Sequence, residues 1–247
     1  MILGAQKEEW RTPVYRITYR EEECTATLCN YGCNWNCSIC SYKLREDLRP
    51  TRFLNVEEIK DVLSSFEVER LNLIGGEPLT IPDLDEIVQF AKEDRHAYVK
   101  IAHSNASMLP PEGVDEMGIS LRAMTKRKHL QLTGAQITKV LSNIFRIHDM
   151  GIAISISTIL IPEVIDVGEV EKIAKFIASV DRRIPLHISG YIPVPGIPWK
   201  RPTREDMEKA VLAAKEHLDC VTSAILSVRE FLATTQMDSL HGRHQVA

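Results

Sequence analysis

Three cysteines lie within eight residues near the start of the chain, and their types and spacing suit a metal centre. Cys33, Cys37 and Cys40 follow a C-x3-C-x2-C pattern among polar neighbours such as Asn34 and Asn36. Three thiolates on one short loop can converge on a single centre and leave one coordination position free. A structural zinc site uses four ligands. A [4Fe–4S] cluster with three thiolates keeps one iron open to a substrate or cofactor.

The other cysteines leave a second interpretation open. A zinc ion could take its fourth ligand from Cys29, Cys24 or a distant histidine, which would make the chain a zinc-binding interaction module. The polar residues of the loop argue against buried cysteines without metal. We expect Cys24 and Cys29 to be structural thiols on a strand, and the isolated Cys220 to be a small core residue.

Composition places the chain among ordinary globular proteins and excludes several classes. Of 247 residues, 44% are hydrophobic and 26% are charged, and the formal net charge of −4 gives no specific nucleic-acid signal. The apolar stretch Gly151–Pro162 is shorter than the roughly 20 residues of a membrane span. The N-terminus lacks the layout of a signal peptide. A cytoplasmic protein with reduced thiols and no membrane association is therefore expected.

The cysteine loop must be positioned by the strands and helices that alternate along the chain. Strands are expected at 24–30, 71–76, 97–104, 118–124, 152–161, 185–191 and 220–226, and helices at 56–66, 83–94, 136–150, 169–180 and 204–218. Asn55 and Thr203 are expected helix caps. Such alternation favours a parallel sheet with helical crossovers. Six or seven units fall short of the eight of a complete TIM barrel.

The predicted fold is therefore α/β: an incomplete, laterally open (β/α)6-type TIM barrel. It comprises an N-terminal extension (1–23), a barrel domain (24–226) and a loose C-terminal tail (227–247). Chemistry in such folds collects at the carboxyl ends of the strands. The residues immediately after each strand are therefore the candidates for a site.

The cysteine pattern after the first strand, with the hydrophobic Ile39 before the last cysteine, resembles the signature of radical S-adenosylmethionine (SAM) enzymes. The resemblance implies that Cys33, Cys37 and Cys40 hold a [4Fe–4S] cluster whose fourth iron is chelated by the methionine part of SAM. An electron from a ferredoxin or flavodoxin would then split SAM, and a 5′-deoxyadenosyl radical would abstract hydrogen from a substrate. Such a protein would work under anaerobic conditions.

Two further strand ends carry motifs in the order that this family shows. Gly75, Gly76 and Glu77, followed by proline, resemble the GGEP element, although a plain strand-end turn would use the same residues. The resemblance implies that the glycines let the backbone approach the methionine, while backbone carbonyls or Glu77 meet its ammonium group. Ser104 and Asn105 stand where relatives often carry Thr-Asn-Gly, near the ribose and carboxylate of SAM.

The later regions resemble pyruvate formate-lyase activating enzymes and their relatives, and they imply further cofactor-binding residues. Residues 120–134 correspond to a stretch with Asp-Leu-Lys-Ala and His-x-x-Leu-Thr-Gly, which places Arg122 at the lysine. His187 matches a strand histidine near the adenosine of SAM. Ser120, Arg122 and Ser157 replace an acid, a lysine and an arginine. These departures are compatible with SAM cleavage but leave the hydrogen donor undecided.

Three functions remain open at this point. The first is activation of a glycyl-radical enzyme, in which hydrogen is taken from a backbone Cα of a partner protein. The second is radical SAM chemistry on a small molecule or another macromolecule. The third is the zinc-binding interaction module. The locally basic run 124–129 is expected to be a solvated loop or a surface that steers an anionic partner.

Overall fold

The sheet that runs through the molecule contains every strand that the structure describes. The computed structural model describes residues 14–44, 50–236 and 243–247. The strands are β1 (Val14–Arg20), β2 (Thr25–Asn30), β3 (Arg70–Gly75), β4 (Tyr98–Ser104), β5 (Glu116–Ser120), β6 (Ala153–Leu160), β7 (Leu186–Gly190), β8 (Val221–Ala224) and β9 (Arg243–Gln245). The helices are α1 (Val56–Ser64), α2 (Leu84–Glu93), α3 (Lys126–Thr133), α4 (Thr138–Asp149), α5 (Val167–Asp181), α6 (Arg204–Lys215) and α7 (Val228–Gln236).

The order of the strands identifies an unclosed barrel. Neighbours run β8-β7-β6-β5-β4-β3-β2-β1-β9, so strands β2 to β8 pair consecutively, and each of these pairs is parallel. A doubly wound sheet would reverse its strand order, whereas a barrel does not. The sheet ends at β8 and β9, which do not pair with each other. The fold is thus an open, mostly parallel α/β sheet, which confirms the predicted partial barrel.

The two faces of the sheet differ in polarity. In β6, Ile154, Ile156, Thr158 and Leu160 are buried on the side that packs against α4 and α5, while the alternate residues Ser155, Ser157 and Ile159 are half-buried. We call the opposite side the inner face. Its polar members include Asn72, Lys100, Glu116, Ser155, Ser157 and His187. The apolar core therefore lies between sheet and helices, and the inner face is free for a site.

Local sequence signals explain where two crossover helices begin. Asn55 accepts a hydrogen bond from the Glu58 backbone N–H at 2.9 Å, and the Glu58 carboxylate accepts one from the Asn55 N–H. Thr203 and Asp206 form the same capping box at the start of α6. Both predicted caps are confirmed, because these side chains satisfy backbone donors that a helix start leaves unpaired.

Several segments differ from the sequence-based expectation. Residues 14–20 of the expected N-terminal extension form β1, which runs antiparallel to β2. The expected loose tail contributes α7 and β9, and β9 pairs with β1. The basic run 124–129 was expected as a solvated loop, but most of it belongs to α3. These short segments lack clear periodicity, so only tertiary pairing stabilises them.

Within the described ranges, no helix is long and apolar enough to cross a membrane.

Candidate functional site

The predicted site residues lie at one end of the sheet. β2 ends at Asn30, just before the cysteine loop, and β3 ends at Gly75. β4 ends at Ser104, and β5 ends at Ser120. Because these strands are parallel neighbours, their carboxyl ends meet at the same edge. Three of the predicted groups therefore come together. They are the cysteines, the Gly-Gly-Glu segment and the residues after β4.

The glycines after β3 are required by close backbone contact with the cysteine loop. A Cβ atom on Gly76 would lie 1.8 Å from the carbonyl oxygen of Gly32, and one on Gly75 would lie 2.1 Å from that of Asn30. Gly75 also has a φ of +132°, which L-residues rarely adopt. The Glu77 N–H donates to the Gly32 carbonyl at 2.9 Å, and the Gly76 N–H donates to the Asn30 carbonyl at 3.1 Å. The two loops thus pack backbone against backbone.

The carboxylate of Glu77 connects β3 to the end of β4. It is 1% exposed and accepts hydrogen bonds from the Asn105 N–H at 2.6 Å, the Ser104 hydroxyl at 2.7 Å and the Leu79 N–H at 3.2 Å. Burial raises the pKa of Glu77, and these three donors oppose that rise. The side chain therefore fixes the two loops relative to each other, and its oxygens are already occupied by protein donors.

The residues after β4 also hold the cysteine loop. The Asn105 side-chain amide donates to the Asn34 side-chain oxygen at 2.8 Å and lies 3.8 Å from the Cys33 sulfur. The Asn34 amide donates to the Ser107 hydroxyl at 2.8 Å, and the Ser107 N–H donates to Asn105 Oδ1 at 2.9 Å. These reciprocal hydrogen bonds fix the loop from the β4 side.

Helix α3 holds the other side of the same loop. The Ser38 N–H donates to the Leu132 carbonyl at 2.8 Å. The Trp35 ring meets the buried His129 ring edge-to-face, with centroids 5.5 Å apart. The Trp35 N–H also donates to the Cys33 sulfur at 3.4 Å. Protein contacts therefore fix the cysteine loop on two sides.

The three thiols of the loop share one electrostatic environment. Burial raises the pKa of Cys33 and raises that of Cys37 to about 11. Cys40 and Cys33 add to the rise at Cys37, whereas the cationic Arg122 and Lys43 oppose it. A metal that binds here must displace protons from the thiols. Arg122 at the end of β5 supplies a positive charge beside the resulting thiolates.

A buried carboxylate in α5 fixes the segment that follows Arg122. Glu169 is 0% exposed and accepts hydrogen bonds from the Met124 N–H at 2.8 Å, the Thr125 N–H at 2.6 Å and the Thr125 hydroxyl at 2.8 Å. The ammonium groups of Lys128 and Lys172 each lie 3.3 Å from Glu169 Oε2. Burial alone would raise the pKa of Glu169, but the hydrogen bonds lower it to about 2. The carboxylate therefore stays ionised and holds the loop that carries Arg122.

A row of polar side chains crosses the inner face beyond β5. Ser120 pairs with Ser157, Ser157 with His187, and His187 with Thr222 in the registers of β5 to β8. The two serine hydroxyls are 3.4 Å apart, and His187 Nδ1 lies 2.8 Å from the Thr222 hydroxyl. His187 therefore lies on the inner face, as its place on the strand predicts.

The chain matches the sequence profile of the Radical SAM superfamily over residues 28–177. This region begins in β2 and includes the cysteine loop, the Gly-Gly-Glu segment and the residues after β4 and β5. The chain belongs to the radical SAM superfamily. Membership supports an enzyme and implies a [4Fe–4S] cluster and SAM as its cofactors.

Two curated relatives show how the similarity is distributed. The "putative glycyl-radical enzyme activating enzyme" of Methanocaldococcus jannaschii is 30% identical over 81% of this chain and 80% of its own length. The "probable GTP 3′,8-cyclase" of Methanococcus vannielii is 26% identical over 66% of this chain, and the match covers 61% of the cyclase. The similarity thus extends to radical SAM proteins with different names.

A solved structure shares the fold of this radical SAM protein. A radical SAM methyltransferase from Sphaerobacter thermophilus superposes with a TM-score of 0.58 over 82% of this chain and 66% of that chain, at 16% sequence identity. At this identity the likeness concerns the fold alone. It agrees with the open sheet described above.

The residues present fit the radical SAM cofactors. Three thiols sit on one anchored loop with Arg122 beside two of them, and the glycine backbone of β3 lies directly against that loop. Among the described residues, no three His, Cys, Asp or Glu side chains are arranged so that they could hold a single metal ion. Cys33, Cys37 and Cys40 would instead hold a [4Fe–4S] cluster, which takes thiolate ligands. Cys24 lies before the start of β2, roughly 20 Å along the strand from its carboxyl end.

The structure gives several predicted residues of this radical SAM site a role within the protein. Ser104 is 2% exposed, Asn105 is 8% exposed, and both hold Glu77. Glu77 itself accepts three hydrogen bonds from protein donors. The assignment of Ser104, Asn105 and Glu77 as cofactor-binding residues stays a prediction.

Sequence reasoning missed four residues of the site. Asn30 donates to the Gly32 and Glu77 carbonyls, and Asn34 ties the loop to β4. Glu169 fixes the segment after β5, and His103 lies at the end of β4 near Arg122. Only position offered a signal: Asn30 and His103 are polar residues at strand ends, whereas Glu169 is an ordinary acid in the first turn of a helix.

Replacing Glu77 with glutamine should loosen this arrangement. The glutamine amide group must turn its NH2 toward at least one of the donors that the carboxylate now accepts, so a buried donor stays unpaired. We expect a loss of about 1–3 kcal/mol in the free energy of unfolding and reduced iron retention. Urea unfolding and iron analysis measure both. The exposed Glu163→Gln is the matched control, and equal behaviour of the two variants would contradict this role.

Proposed function

We propose that this radical SAM protein activates a glycyl-radical enzyme. The relative from Methanocaldococcus jannaschii carries the proposal, because it matches over most of both chains and is named for this activity. The substrate would then be a backbone Cα–H of a glycine in a partner protein. The open inner face of the sheet suits a substrate of this size, since a protein segment can enter without an enclosed cavity.

Each part of the site has a role in this function. Cys33, Cys37 and Cys40 would hold the cluster, and the backbone at Gly75 and Gly76 would approach the methionine end of SAM. Arg122 and His187 would contact other parts of SAM. A bound cluster would supply the one-electron reduction that cleaves SAM to methionine and a 5′-deoxyadenosyl radical. The expected products, after transfer of a hydrogen atom from the glycine Cα of the partner, would be 5′-deoxyadenosine and a glycyl radical.

The electron for this reaction must come from outside the chain. We propose a ferredoxin or a flavodoxin as the one-electron donor, acting in an anaerobic cytoplasm. The cysteine loop would be accessible to such a donor, because Cys33, Asn34 and Asn36 are exposed.

A second candidate function is radical SAM chemistry on a small polar molecule. The polar row of Ser120, Ser157, His187 and Thr222 favours it, because hydroxyl and imidazole groups on an inner face can orient a polar substrate. Relatives named as GTP cyclases share part of the sequence. The zinc-binding module differs from both in its metal content alone.

Metal content and SAM cleavage separate the enzyme from the zinc module. Anaerobic reconstitution with iron and sulfide should load about four irons per chain, and addition of SAM and dithionite should yield 5′-deoxyadenosine by chromatography. The Cys33/Cys37/Cys40→Ala variant should lose the cluster and the product. Cys220→Ala is the matched control. Cys220 was expected in the core, but that prediction is wrong, because the residue is exposed and precedes β8. One zinc per chain without deoxyadenosine would contradict radical SAM chemistry.

A glycyl-radical protein distinguishes the activase from the small-molecule enzyme. The reconstituted protein is incubated with SAM, dithionite and a glycyl-radical enzyme from the same organism. Electron paramagnetic resonance should show a carbon-centred glycyl radical, and exposure to oxygen should cleave the partner at that glycine. Formation of 5′-deoxyadenosine without radical or cleavage would count against the activase and favour a small substrate.

A further inference from the structure

The Cys33 sulfur accepts hydrogen bonds from its own loop and from the residue after β4. The Trp35 N–H donates to it at 3.4 Å, and the Asn105 side-chain amide lies farther away, at 3.8 Å. Among the described donors, none reaches the sulfur of Cys37 or Cys40. Hydrogen bonds to the sulfur ligands of an iron–sulfur cluster help to set its reduction potential. The direction of the Trp35 N–H therefore matters for the chemistry of the proposed cluster.

The imidazole ring of His129 holds Trp35 from the side of α3. The two rings meet edge-to-face, with centroids 5.5 Å apart and planes at 89°. His129 is 0% exposed, whereas Trp35 is half-buried and its neighbours Asn34 and Asn36 are exposed. At this contact, a buried side chain of α3 therefore packs against the part of the cysteine loop that faces solvent.

Hydrogen bonds fix the direction of the His129 ring. Because a carbonyl oxygen only accepts, Nδ1 carries the hydrogen and donates to the Ala135 carbonyl at 2.9 Å. The Thr133 hydroxyl donates to the His129 carbonyl at 2.8 Å and accepts from the Ala135 N–H at 3.1 Å. At the other end of α3, Glu169 holds Thr125. The ring thus stands on a helix with both ends fixed, and it gives Trp35 a fixed surface to pack against.

We propose that His129 is a positioning residue, whose ring orients Trp35 so that the Trp35 N–H donates to the Cys33 sulfur. A second contact supports this path, since the Ser38 N–H donates to the Leu132 carbonyl at 2.8 Å. The loop is therefore held to α3 at two places, and the first of them carries the N–H that reaches the sulfur.

The hydrogen bond from Trp35 favours reduction of a cluster bound through Cys33. An N–H group that points at a thiolate stabilises negative charge there, and reduction adds one negative charge. His129 would therefore make the proposed cluster easier to reduce by an external one-electron carrier. The inference rests on the proposed cluster and deepens the proposed function, because it names a residue that regulates the first electron transfer.

The reduction potential tests this role without SAM and without a partner protein. The reconstituted protein is titrated anaerobically with dithionite and redox mediators, and electron paramagnetic resonance measures the reduced cluster. In His129→Leu, the ratio of reduced to oxidised cluster at a fixed potential should fall about ten-fold, which corresponds to roughly 59 mV for one electron. His129→Phe should retain most of the wild-type ratio, because it keeps a ring against Trp35. An unchanged ratio in His129→Leu would overturn the proposal.

A double substitution shows whether His129 acts through Trp35. Trp35→Ala should lower the ratio as His129→Leu does, and the double variant should lower it no further. Phe176→Leu is the matched control, since it removes one ring of another edge-to-face pair, formed with Phe145 at 5.7 Å. Shifts that add in the double variant, or an equal shift in the control, would contradict a path through Trp35.

Amide hydrogen exchange in the cluster-free protein decides the case of a variant that takes up no iron. The Trp35 amide should exchange about ten-fold faster in His129→Leu than in wild type, because its hydrogen bond to the Cys33 sulfur opens more often. The amide of Ile188, in the middle of β7, is the internal reference for global unfolding. Equal exchange of the Trp35 amide in both proteins would overturn the proposal.

Failure of the proposed function gives a different result from failure of this inference. A protein that holds a reducible cluster but forms no glycyl radical contradicts the activase alone, and the titrations still measure the effect of His129. A chain that takes up no cluster contradicts the proposed ligands, and the exchange of the Trp35 amide then shows whether His129 orients that residue.

Discussion

Gly76→Ala should unfold the contact between the cysteine loop and the end of β3. The new Cβ would lie 1.8 Å from the Gly32 carbonyl oxygen and 2.5 Å from its carbon, and both atoms belong to the backbone. No rotamer change relieves this overlap, so the Glu77 N–H to Gly32 hydrogen bond must break. We expect a loss of about 3 kcal/mol or more in the free energy of unfolding and little retained iron.

A matched substitution in the same chain shows whether the effect depends on position. Gly168 lies near the start of α5, and a Cβ there would meet only Asp166 Oδ1 at 3.4 Å. Gly168→Ala should leave iron content unchanged and alter stability by no more than about 1 kcal/mol, toward stabilisation. Urea unfolding and iron analysis measure both variants. A Gly76→Ala protein with wild-type stability and iron content would contradict the contact.

Glu169→Gln should destabilise the protein at neutral pH and much less in acid. The pKa of Glu169 falls from an ordinary 4.5 to about 2 in the folded protein. A carboxyl with a lowered pKa stabilises the fold above its unfolded value, and that stabilisation disappears as the pH falls from 4.5 toward 2. The difference corresponds to about 3 kcal/mol at pH 7. At pH 3, less than about half of it should remain.

The cluster-free protein permits this comparison, because acid destroys iron–sulfur clusters. Urea unfolding at pH 7 and pH 3 gives the free energies for wild type and Glu169→Gln. The control is Glu171→Gln, since Glu171 is partly exposed and pairs with Lys175 on the same helix. That exposed pair should contribute little to stability, because solvent screens it. A Glu169→Gln effect that does not change with pH would contradict an ionised, buried carboxylate.

The sequence allowed the succession of the parallel strands to be predicted. Runs of apolar residues located β3, β4, β6 and β7 to within two residues. The strand predicted at 118–124 is instead β5 (Glu116–Ser120). It ends early because the next segment forms a loop, in which the Met124 N–H donates a hydrogen bond to Glu169. That hydrogen bond joins residues 45 positions apart, so no local pattern reports it.

The sequence predicts the parts of the candidate site whose chemistry depends on residue type. It does not predict the parts that depend on the direction in which a side chain points. The spacing of Cys33, Cys37 and Cys40 identifies the loop without knowledge of the fold. The inward direction of Glu77 and Asn105 depends on neighbouring backbone donors, which the sequence does not reveal. His103 lies within the register shift between Ile101 and Ser104 of β4, and this shift breaks the alternation from which its face could be inferred.

Ala106 departs from the Thr-Asn-Gly element, and two hydrogen bonds hold it in a backbone conformation that favours glycine. Ala106 has a φ of +53°, a left-handed conformation in which glycine is the favoured residue. The resemblance to the Thr-Asn-Gly element places this alanine at the position of its glycine. The Ala106 N–H donates to the Ser104 hydroxyl, and its carbonyl accepts from the Asn143 amide, so two hydrogen bonds hold the alanine in this conformation.

The backbone contact between Gly32 and Gly76 has a thermodynamic consequence for ligand binding. The segment that would carry the cluster and the segment that would receive SAM are hydrogen-bonded to each other, so ordering one lowers the entropic cost of ordering the other. By linkage, each occupant then raises the affinity for the other by the same factor. Amide hydrogen exchange at Gly76 and Glu77 should therefore slow when the cysteine loop is loaded, even in the absence of SAM.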